Sequence, residues 1–494
     1  MIKTPIYEIL LTSIIIAYVI LSTLDITAPW NSTHSGFIGA QYSNLAINYL
    51  KFGYFETKLG QLSNTASNLQ TGNEKYEYYV NRPIGTAMLI SFSFLVFGIH
   101  EWSARVVAVL FNILAIIFLF YFVKTYWDKE VAILSCFFTV FSPMFFYIRN
   151  FISPETITIF FTTFILYAYA KWLVTNKKRY FYLIFFAFIT STFFNWENYF
   201  LVPPILIHYF IFVKKREKDK KLFYLIPTAI FCFLFYLGHI WLLMGMRGLE
   251  NLFKVFIFRL NLDESWYISE ITPLSLVKVL ITNLQKFYTN LYSYAFLLFP
   301  IITLVKLKSN EKNILPLLIF LSFSLYLFIF SNLFWIHDFL VLFFAPIFGI
   351  FIALILSEIK YITVRKNCTI SKINFYGFLF IISFLFIILS YPVYKSIYIS
   401  NSEIWPIIKF LSKNDGNIIV SFDEHPQNFQ LKFYLSKRVV LDIRDKDKLI
   451  KNLDKGFKYF LVKDDNPIDE ELKNYLENNF KSKKIHGYVI YELK

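Results

Sequence analysis

Residues 34–53 read HSGFIGAQYSNLAINYLKFG and follow closely on the first long apolar run, which ends near residue 24. Phe37, Ala40, Leu45, Ile47, Tyr49 and Leu50 fall roughly on one side of a helix, and Gln41, Ser43, Asn44 and Asn48 on the other. Gly53 is a natural stop. A helix with that pattern is expected to lie in a membrane interface, not across it. A plain polar loop would have served to connect two spans. A half-apolar helix beginning at a histidine instead suggests a surface built at headgroup depth.

The rest of the chain fits a polytopic membrane protein. Of 494 residues, 56% are hydrophobic, and the mean hydropathy is +0.51, well above soluble domains. Apolar runs near 7–24, 103–123, 130–148, 154–173, 180–196, 199–213, 222–243, 291–305, 313–334, 339–357 and 374–394 predict about eleven transmembrane helices. With the N-terminus inside, Lys3 and five short loops (KTYWDK, KWLVTNKKR, KKREKDKK, KLKSNEK and SEIKYITVRKNCTISK) hold 20 of the 49 basic residues. Outward segments before residue 395 hold 11, spread over far more chain. That bias sets the orientation and accounts for much of the net charge of +15 without a nucleic-acid partner. Cys136, Cys232 and Cys368 have no zinc or disulfide spacing.

The stretch NRPIGTAMLISFSFLVFG (81–98) places Pro83 at a helix start. Crossing there would turn two basic loops outward, so it reads as a second interfacial helix. The first outer loop, 25–102, is then a shelf carrying His34 and Arg82. Three more polar clusters share its side: IRNFISPE (148–155), NWEN (195–198) and FWIHD (334–338). They supply Arg149, Glu155, Glu197, His337 and Asp338, charged groups from distant segments converging on one face. Arg82 and Arg149 are phosphate-binding candidates, since guanidinium forks match phosphate oxygens. Glu155 and His34 are candidate acid–base groups, with helix-dipole and loop roles as the plain alternatives. His337 and Asp338 with Glu155 form a candidate set for a divalent metal. Arg105 is expected to pair with Glu101, four residues back. His208 and His239 are expected to be packed core residues.

After residue 395 the composition changes. Short strands (GNIIVSFDEH, KRVVLDIRD, KYFLVKDD, HGYVIYELK) alternate with helices (SEIWPIIKFLSK, KDKLIKNL, PIDEELKNYLENNF), which predicts a small α/β domain over 396–494 following a membrane domain over 1–395. Eleven spans and an inside start put it outside the cell. Asn31-Ser-Thr is a glycosylation sequon on that side, and Asn367-Cys-Thr lies in an inward loop.

The ordered set Gly39-Ala40, Tyr42-Ser43, Ala46, Tyr49-Leu50, Arg82-Pro83, Phe97-Gly98, Glu101-Trp102, Ala104-Arg105 and Ser153-Pro154-Glu155, with NWENYFLVPP at 195–204, resembles the GT-C glycosyltransferases. The nearest groups are the protein O-mannosyltransferases and the bacterial aminoarabinose transferases that modify lipid A. The resemblance covers roughly residues 25–205. It implies a multi-pass enzyme that moves a sugar from a polyprenyl-phosphate-linked donor to a protein, lipid or glycan acceptor on the outer face of the cell membrane. It also implies an extracytoplasmic cap, whose role is either to guide the acceptor or to stabilise the fold. Arg82, Arg149, Tyr42, Glu197, His337 and Asp338 would bind substrate, and Glu155 and His34 would do the proton chemistry. The chain departs from the family where relatives carry an Asp, often Asp-Glu, four residues before the Tyr as the general base: Ile38 and Gly39 stand there, and Ile84 replaces a proline. Either another group serves as base or the chain is an inactive scaffold. A carrier of lipid-linked sugars would share the spans, but no duplicated half is visible, and only 15 glycines are present to break helices.

Overall fold

The computed structural model describes residues 6–31, 33–63, 76–214, 218–263, 268–305, 311–364, 370–397, 404–414, 416–421, 425–435, 439–440, 443–453, 456–464 and 468–493. Its helices are α1 (Ile6–Thr23), α2 (His34–Phe52), α3 (Gly85–Phe97), α4 (Glu101–Tyr126), α5 (Lys129–Val140), α6 (Pro143–Tyr147), α7 (Pro154–Thr175) and α8 (Lys178–Thr192). There follow α9 (Val202–Ile207), α10 (Leu225–Met244), α11 (Met246–Arg259), α12 (Pro273–Phe287), α13 (Asn290–Val305), α14 (Ile314–Ile329), α15 (Ser331–Ile336), α16 (Ala345–Val364) and α17 (Ile370–Ile397). The C-terminal part adds α18 (Trp405–Ser412), α19 (His425–Leu435), α20 (Lys446–Leu453) and α21 (Glu470–Asn479) with strands β1 (Asn417–Val420), β2 (Val439–Val440), β3 (Phe457–Lys463), β4 (Lys481–Ile485) and β5 (Tyr488–Glu492).

Two compact units result. One comprises Met1–Leu24, Val80–Gly85 and Ala108–Tyr398, the other Asp25–Tyr79, Thr86–Val107 and Ile399–Lys494. Among the described residues, six helical stretches are long and apolar enough to cross a membrane: 6–23, 101–126, 154–175, 220–244, 311–329 and 338–361. Of the other expected spans, 374–394 lies within the 28-residue α17, and the rest hold shorter or broken helices. Two Ser-Pro pairs set local boundaries: Ser142 Oγ accepts from Phe145 N and Ser153 Oγ from Thr156 N, each at 3.1 Å, with Pro143 and Pro154 opening the helices they cap. α3 has 13 residues, about 20 Å at helical rise against a hydrocarbon core of roughly 30 Å, so it is too short to cross. Its Phe92, Leu95, Val96 and Phe97 are exposed, which suits contact with lipid.

In the second unit the polar face of α2 corrects one expectation. It is not turned to solvent. Asn44 and Asn48 are buried; Asn44 Nδ2 donates to Ala40 O and Phe429 O, each at 2.9 Å, and Asn48 Nδ2 to Leu62 O at 2.9 Å. These bonds satisfy the buried amide donors without water. α2 packs along α19, a helix the sequence reading missed. Trp30 N donates to Tyr434 OH at 2.7 Å, and Gln430 Nε2 to Asn31 O at 2.6 Å. The first loop, apart from Val80–Gly85, and the C-terminal domain are therefore one folded body. Arg105 donates to the carbonyls of Ile26 and Ala28 at 2.7 and 2.5 Å and lies 4.4 Å over the Trp30 ring, where an ion pair with Glu101 was expected. It ties the loop to α4.

The C-terminal sheet has the order β2-β1-β3-β5-β4. β1 runs parallel to β2 and β3, and β5 antiparallel to β3 and β4. Alternation along β1 sends Ile418 and Val420 into a core with Ile408, Leu431 and Leu461, and Ile419 into one with Leu449, Phe460 and Leu476. The domain thus has helices on both faces of its sheet. β4, KSKKI, carries no strand-like apolar pattern. A two-residue turn with positive φ at His486 and Gly487 folds it back onto β5.

Candidate active site

The segment Val80–Gly85 is pinned before any charge is considered. Gly85 N donates to Phe193 O at 2.8 Å, and a Cβ there would meet that oxygen and the Phe194 ring at 2.7 Å. Tyr236 OH donates to Val80 O at 2.5 Å and Trp196 Nε1 to Asn81 O at 3.4 Å. So held, Arg82 reaches into a nearly sealed pocket. Its Nη2 donates to Glu155 Oε1 at 2.7 Å, and its Nη1 to Asn195 Oδ1 at 2.6 Å and Glu197 Oε1 at 3.0 Å. Tyr326 OH, from α14, donates to the same Glu197 oxygen at 2.7 Å. Arg82 is 6% exposed, Glu155 4% and Glu197 0%.

The sequence therefore names three residues that the fold brings into one cluster: Arg82, Glu155 and Glu197. They come from segments 73 and 115 positions apart. Glu155 lies in the first turn of α7, where the helix dipole favours its charge. Two carboxylates share a single guanidinium, so the ionised cluster carries one uncompensated negative charge in a low-dielectric place. Burial pushes the Glu197 carboxyl above its ordinary value; Arg82 opposes this and Glu155 adds to it. Glu197 Oε2 and Asn195 Nδ2 are buried and have no hydrogen-bond partner among the described residues. Such a pocket suits proton exchange or the arrival of a charged group.

The other candidates sit elsewhere. Arg149 donates from Nη1 to Phe146 O at 2.8 Å and lies 4.0 Å over the Phe146 ring, while its own carbonyl accepts from Tyr18 OH at 2.7 Å. Asp338 pairs with Lys286. His337 ends α15 with its ring 5.4 Å from Phe339. With Glu155 on Arg82 and Asp338 on Lys286, the expected metal ligands have other partners, and no group of three His, Cys, Asp or Glu able to hold a metal occurs among the described residues. His34 and Tyr42 belong to the second unit: His34 opens α2, and Tyr42 is buried edge-on to Tyr79 at 6.3 Å. His208 is buried between Tyr126 OH at 3.0 Å and Tyr169 OH at 2.7 Å, as a packed residue should be. His239 is only half-buried, because the α10 face around it is largely exposed.

Beside the cluster lies an apolar cavity of about 680 Å³ lined by Trp196, Phe200, Phe233, Phe256, Tyr326 and Arg259, among others. Tyr326 links its wall to Glu197. Arg259 Nη2 donates to Asn81 O at 3.5 Å, so the guanidinium lies beside the residue preceding Arg82. Sequence reading missed both residues. Tyr326 sits in an apolar run whose polar residues are two serines, Ser322 and Ser324. Arg259, at the end of the amphipathic α11, looks like any basic helix terminus.

This arrangement sits on a fold already known in solved structures. ArnT from Cupriavidus metallidurans bound to undecaprenyl phosphate matches with a TM-score of 0.62 over 100% of this chain and 99% of its own, at 9% identity. The apo oligosaccharyltransferase of Archaeoglobus fulgidus matches at 0.60 and 13% identity, over 93% of this chain and 70% of its own. The A. fulgidus oligosaccharyltransferase AglB in complex with an inhibitory peptide and a dolichol-phosphate matches at 0.55 and 13% identity, over 98% and 74%. The chain has the GT-C fold. The family model described as dolichyl-phosphate-mannose-protein mannosyltransferase matches residues 81–241, about a third of this GT-C chain and the part that holds Arg82, Glu155 and Glu197. No curated protein matches it in sequence.

Proposed function

We propose that the chain is a membrane glycosyltransferase that moves a sugar from a polyprenyl-phosphate-linked donor to an acceptor on the outer face of the membrane. The observation that carries this is the adjacency of the apolar cavity to the Arg82–Glu155–Glu197 cluster. A long apolar tail needs a dry, aromatic-lined cavity of a few hundred cubic ångströms, and its phosphate needs fixed cations at one end. Arg259 lines that cavity and Arg82 lies one residue from the carbonyl it touches. The ArnT neighbour, bound to undecaprenyl phosphate, supports the choice of ligand class.

The chemistry follows. The acceptor oxygen attacks the anomeric carbon, the carbon–oxygen bond to phosphate breaks, and its electron pair stays on the phosphate. Arg259 and Arg82 stabilise the charge that develops there. Glu155 takes the acceptor proton, supplying the carboxylate that Ile38 does not. The donor phosphate competes with Glu155 and Glu197 for Arg82, so donor binding loosens Glu155 as it arrives. The positive-inside bias supports a site and a C-terminal domain outside the cell. His34 is the other candidate base. Whether the sugar is a hexose or a pentose is decided by trying both.

The test is incubation of the purified protein with labelled polyprenyl-phosphate sugars and an outer-membrane or cell-wall extract as acceptor. The reading expects release of free polyprenyl phosphate with label in the acceptor, and loss of both in Glu155→Gln but not in His34→Ala. Release in Glu155→Gln and none in His34→Ala would move the base to α2. Movement of intact donor across vesicles with no release would make the protein a carrier.

A further inference from the structure

One feature of the first unit goes beyond where the donor binds. Tyr326 has two surroundings at once: its ring is part of the wall of the apolar cavity, while its hydroxyl donates at 2.7 Å to Glu197 Oε1. That oxygen also accepts from Arg82 Nη1 at 3.0 Å, and Arg82 Nη2 donates to Glu155 Oε1 at 2.7 Å. An unbroken hydrogen-bonded chain thus runs from the cavity wall to the carboxylate assigned as base. Glu197 is fully buried and 0% exposed. Its side-chain bonds to Tyr326 and Arg82 both fall on Oε1, and Oε2 has no partner among the described residues. Its orientation therefore leans on Tyr326 and Arg82.

We propose that Tyr326 and Glu197 are positioning residues that couple occupancy of the apolar cavity to the Arg82–Glu155 pair. This rests on the reading of that cavity as the donor-tail site. A tail packed against the Tyr326 ring fixes the phenol, the phenol fixes Glu197, and Glu197 decides how much of Arg82 is left for Glu155. Such a link is reciprocal: if filling the cavity changes the proton occupancy of the carboxyl pair, then protonation of the pair changes affinity for the tail. The groups facing Glu197 are Arg82 from the pinned segment, Glu155 from α7 and Tyr326 from α14, with Arg259 from α11 on the same cavity wall as Tyr326.

A neutral polyprenol is the probe, because it carries no titratable group of its own. Its binding to the full-length protein in detergent is followed by the fluorescence of Trp196, which lines the cavity, in a protein whose other tryptophans are replaced by Phe. In the parent the dissociation constant is expected to change at least threefold between pH 4.5 and 7.5. In Tyr326→Phe, which keeps the ring and loses only the hydroxyl, and in Glu197→Gln, binding should persist but vary less than 1.5-fold over that range. With donor present, Tyr326→Phe should lower kcat about tenfold while KM moves less than twofold. The conservative Tyr326→Phe and Glu197→Gln changes also report on folding through their melting temperatures, so a mere loss of structure is recognised by a fall in both kcat and binding. A pH-independent parent, or a Tyr326→Phe variant with the parent's full pH dependence and kcat, overturns the coupling. Absence of any polyprenol binding in the parent overturns the cavity assignment itself, and the coupling with it.

Discussion

Arg82 sits between two buried carboxylates, and that decides how it must be tested. Arg82→Ala leaves both acids without their counter-charge, a loss of about 3–5 kcal/mol in comparable buried pairs. The variant is expected to lower the melting temperature in detergent markedly, so its inactivity alone would say little about phosphate. Arg82→Lys keeps a charge but not the fork that joins Glu155, Asn195 and Glu197. It should fold with a modest loss of stability and lose most of its transfer activity; full activity in Arg82→Lys would remove the guanidinium from the mechanism. Glu155→Gln is nearly isosteric and should lower kcat by roughly a hundredfold or more, the usual size for a general base. Glu197 brings a pH effect of definite sign. Its carboxyl is raised by burial, so the folded chain holds this proton more tightly than the unfolded one. Its contribution to stability is therefore greatest at low pH and falls as pH rises from near 4.5 through the raised value. Glu197→Gln should flatten that part of the stability–pH curve; an unchanged curve would show that Glu197 is not the group that titrates.

At the scale of elements, the site depends on backbone contacts at positions with no charge. Gly85 admits Phe193 O and the Phe194 ring where a methyl group would stand, so Gly85→Ala is expected to displace Arg82. The measurable result is a loss of activity larger than the loss in melting temperature explains. In the second unit, Asn44→Ala removes the side-chain hydrogen bond to Phe429 O that joins α2 to α19, worth about 0.5–1.5 kcal/mol. Limited proteolysis should then release the C-terminal domain faster than in the parent. These elements also show what the sequence made legible. Pro154 with Glu155 after it marked a helix start and the basic loops marked the layout, whereas the expected span 130–148 is broken at Ser142-Pro143. The polar face of α2 was misread, since Asn44 and Asn48 look the same in sequence whether they meet water or a carbonyl. α19 has no clear amphipathic pattern because it is packed along α2. Arg82, Glu155 and Glu197 were legible as isolated charges in polar clusters, while Tyr326 and Arg259 acquire meaning only from what they face after folding.

At the scale of the whole molecule, the first loop and the C-terminal domain fold as one body, which requires them to lie on the same side of the membrane. Single cysteines at the exposed positions Lys58 and Lys473, in a cysteine-free background, should both react with an impermeant thiol reagent from outside, and one at Lys177 should not. Opposite labelling of 58 and 473 would contradict the fold, and labelling of all three from outside would contradict the orientation. Asn31 belongs to the same body: its side-chain oxygen accepts from Thr33 N, Thr33 Oγ1 and Gly36 N at the start of α2, so the sequon is part of a helix start and is expected to stay unmodified. The most direct test of the account is a structure of the protein with a polyprenyl phosphate bound. The tail is expected among Trp196, Phe233 and Phe256 and the phosphate within hydrogen-bond reach of Arg259 and Arg82, with Glu155 freed from its partner. A lipid bound on another face, with the Arg82–Glu155–Glu197 cluster unchanged, would contradict it.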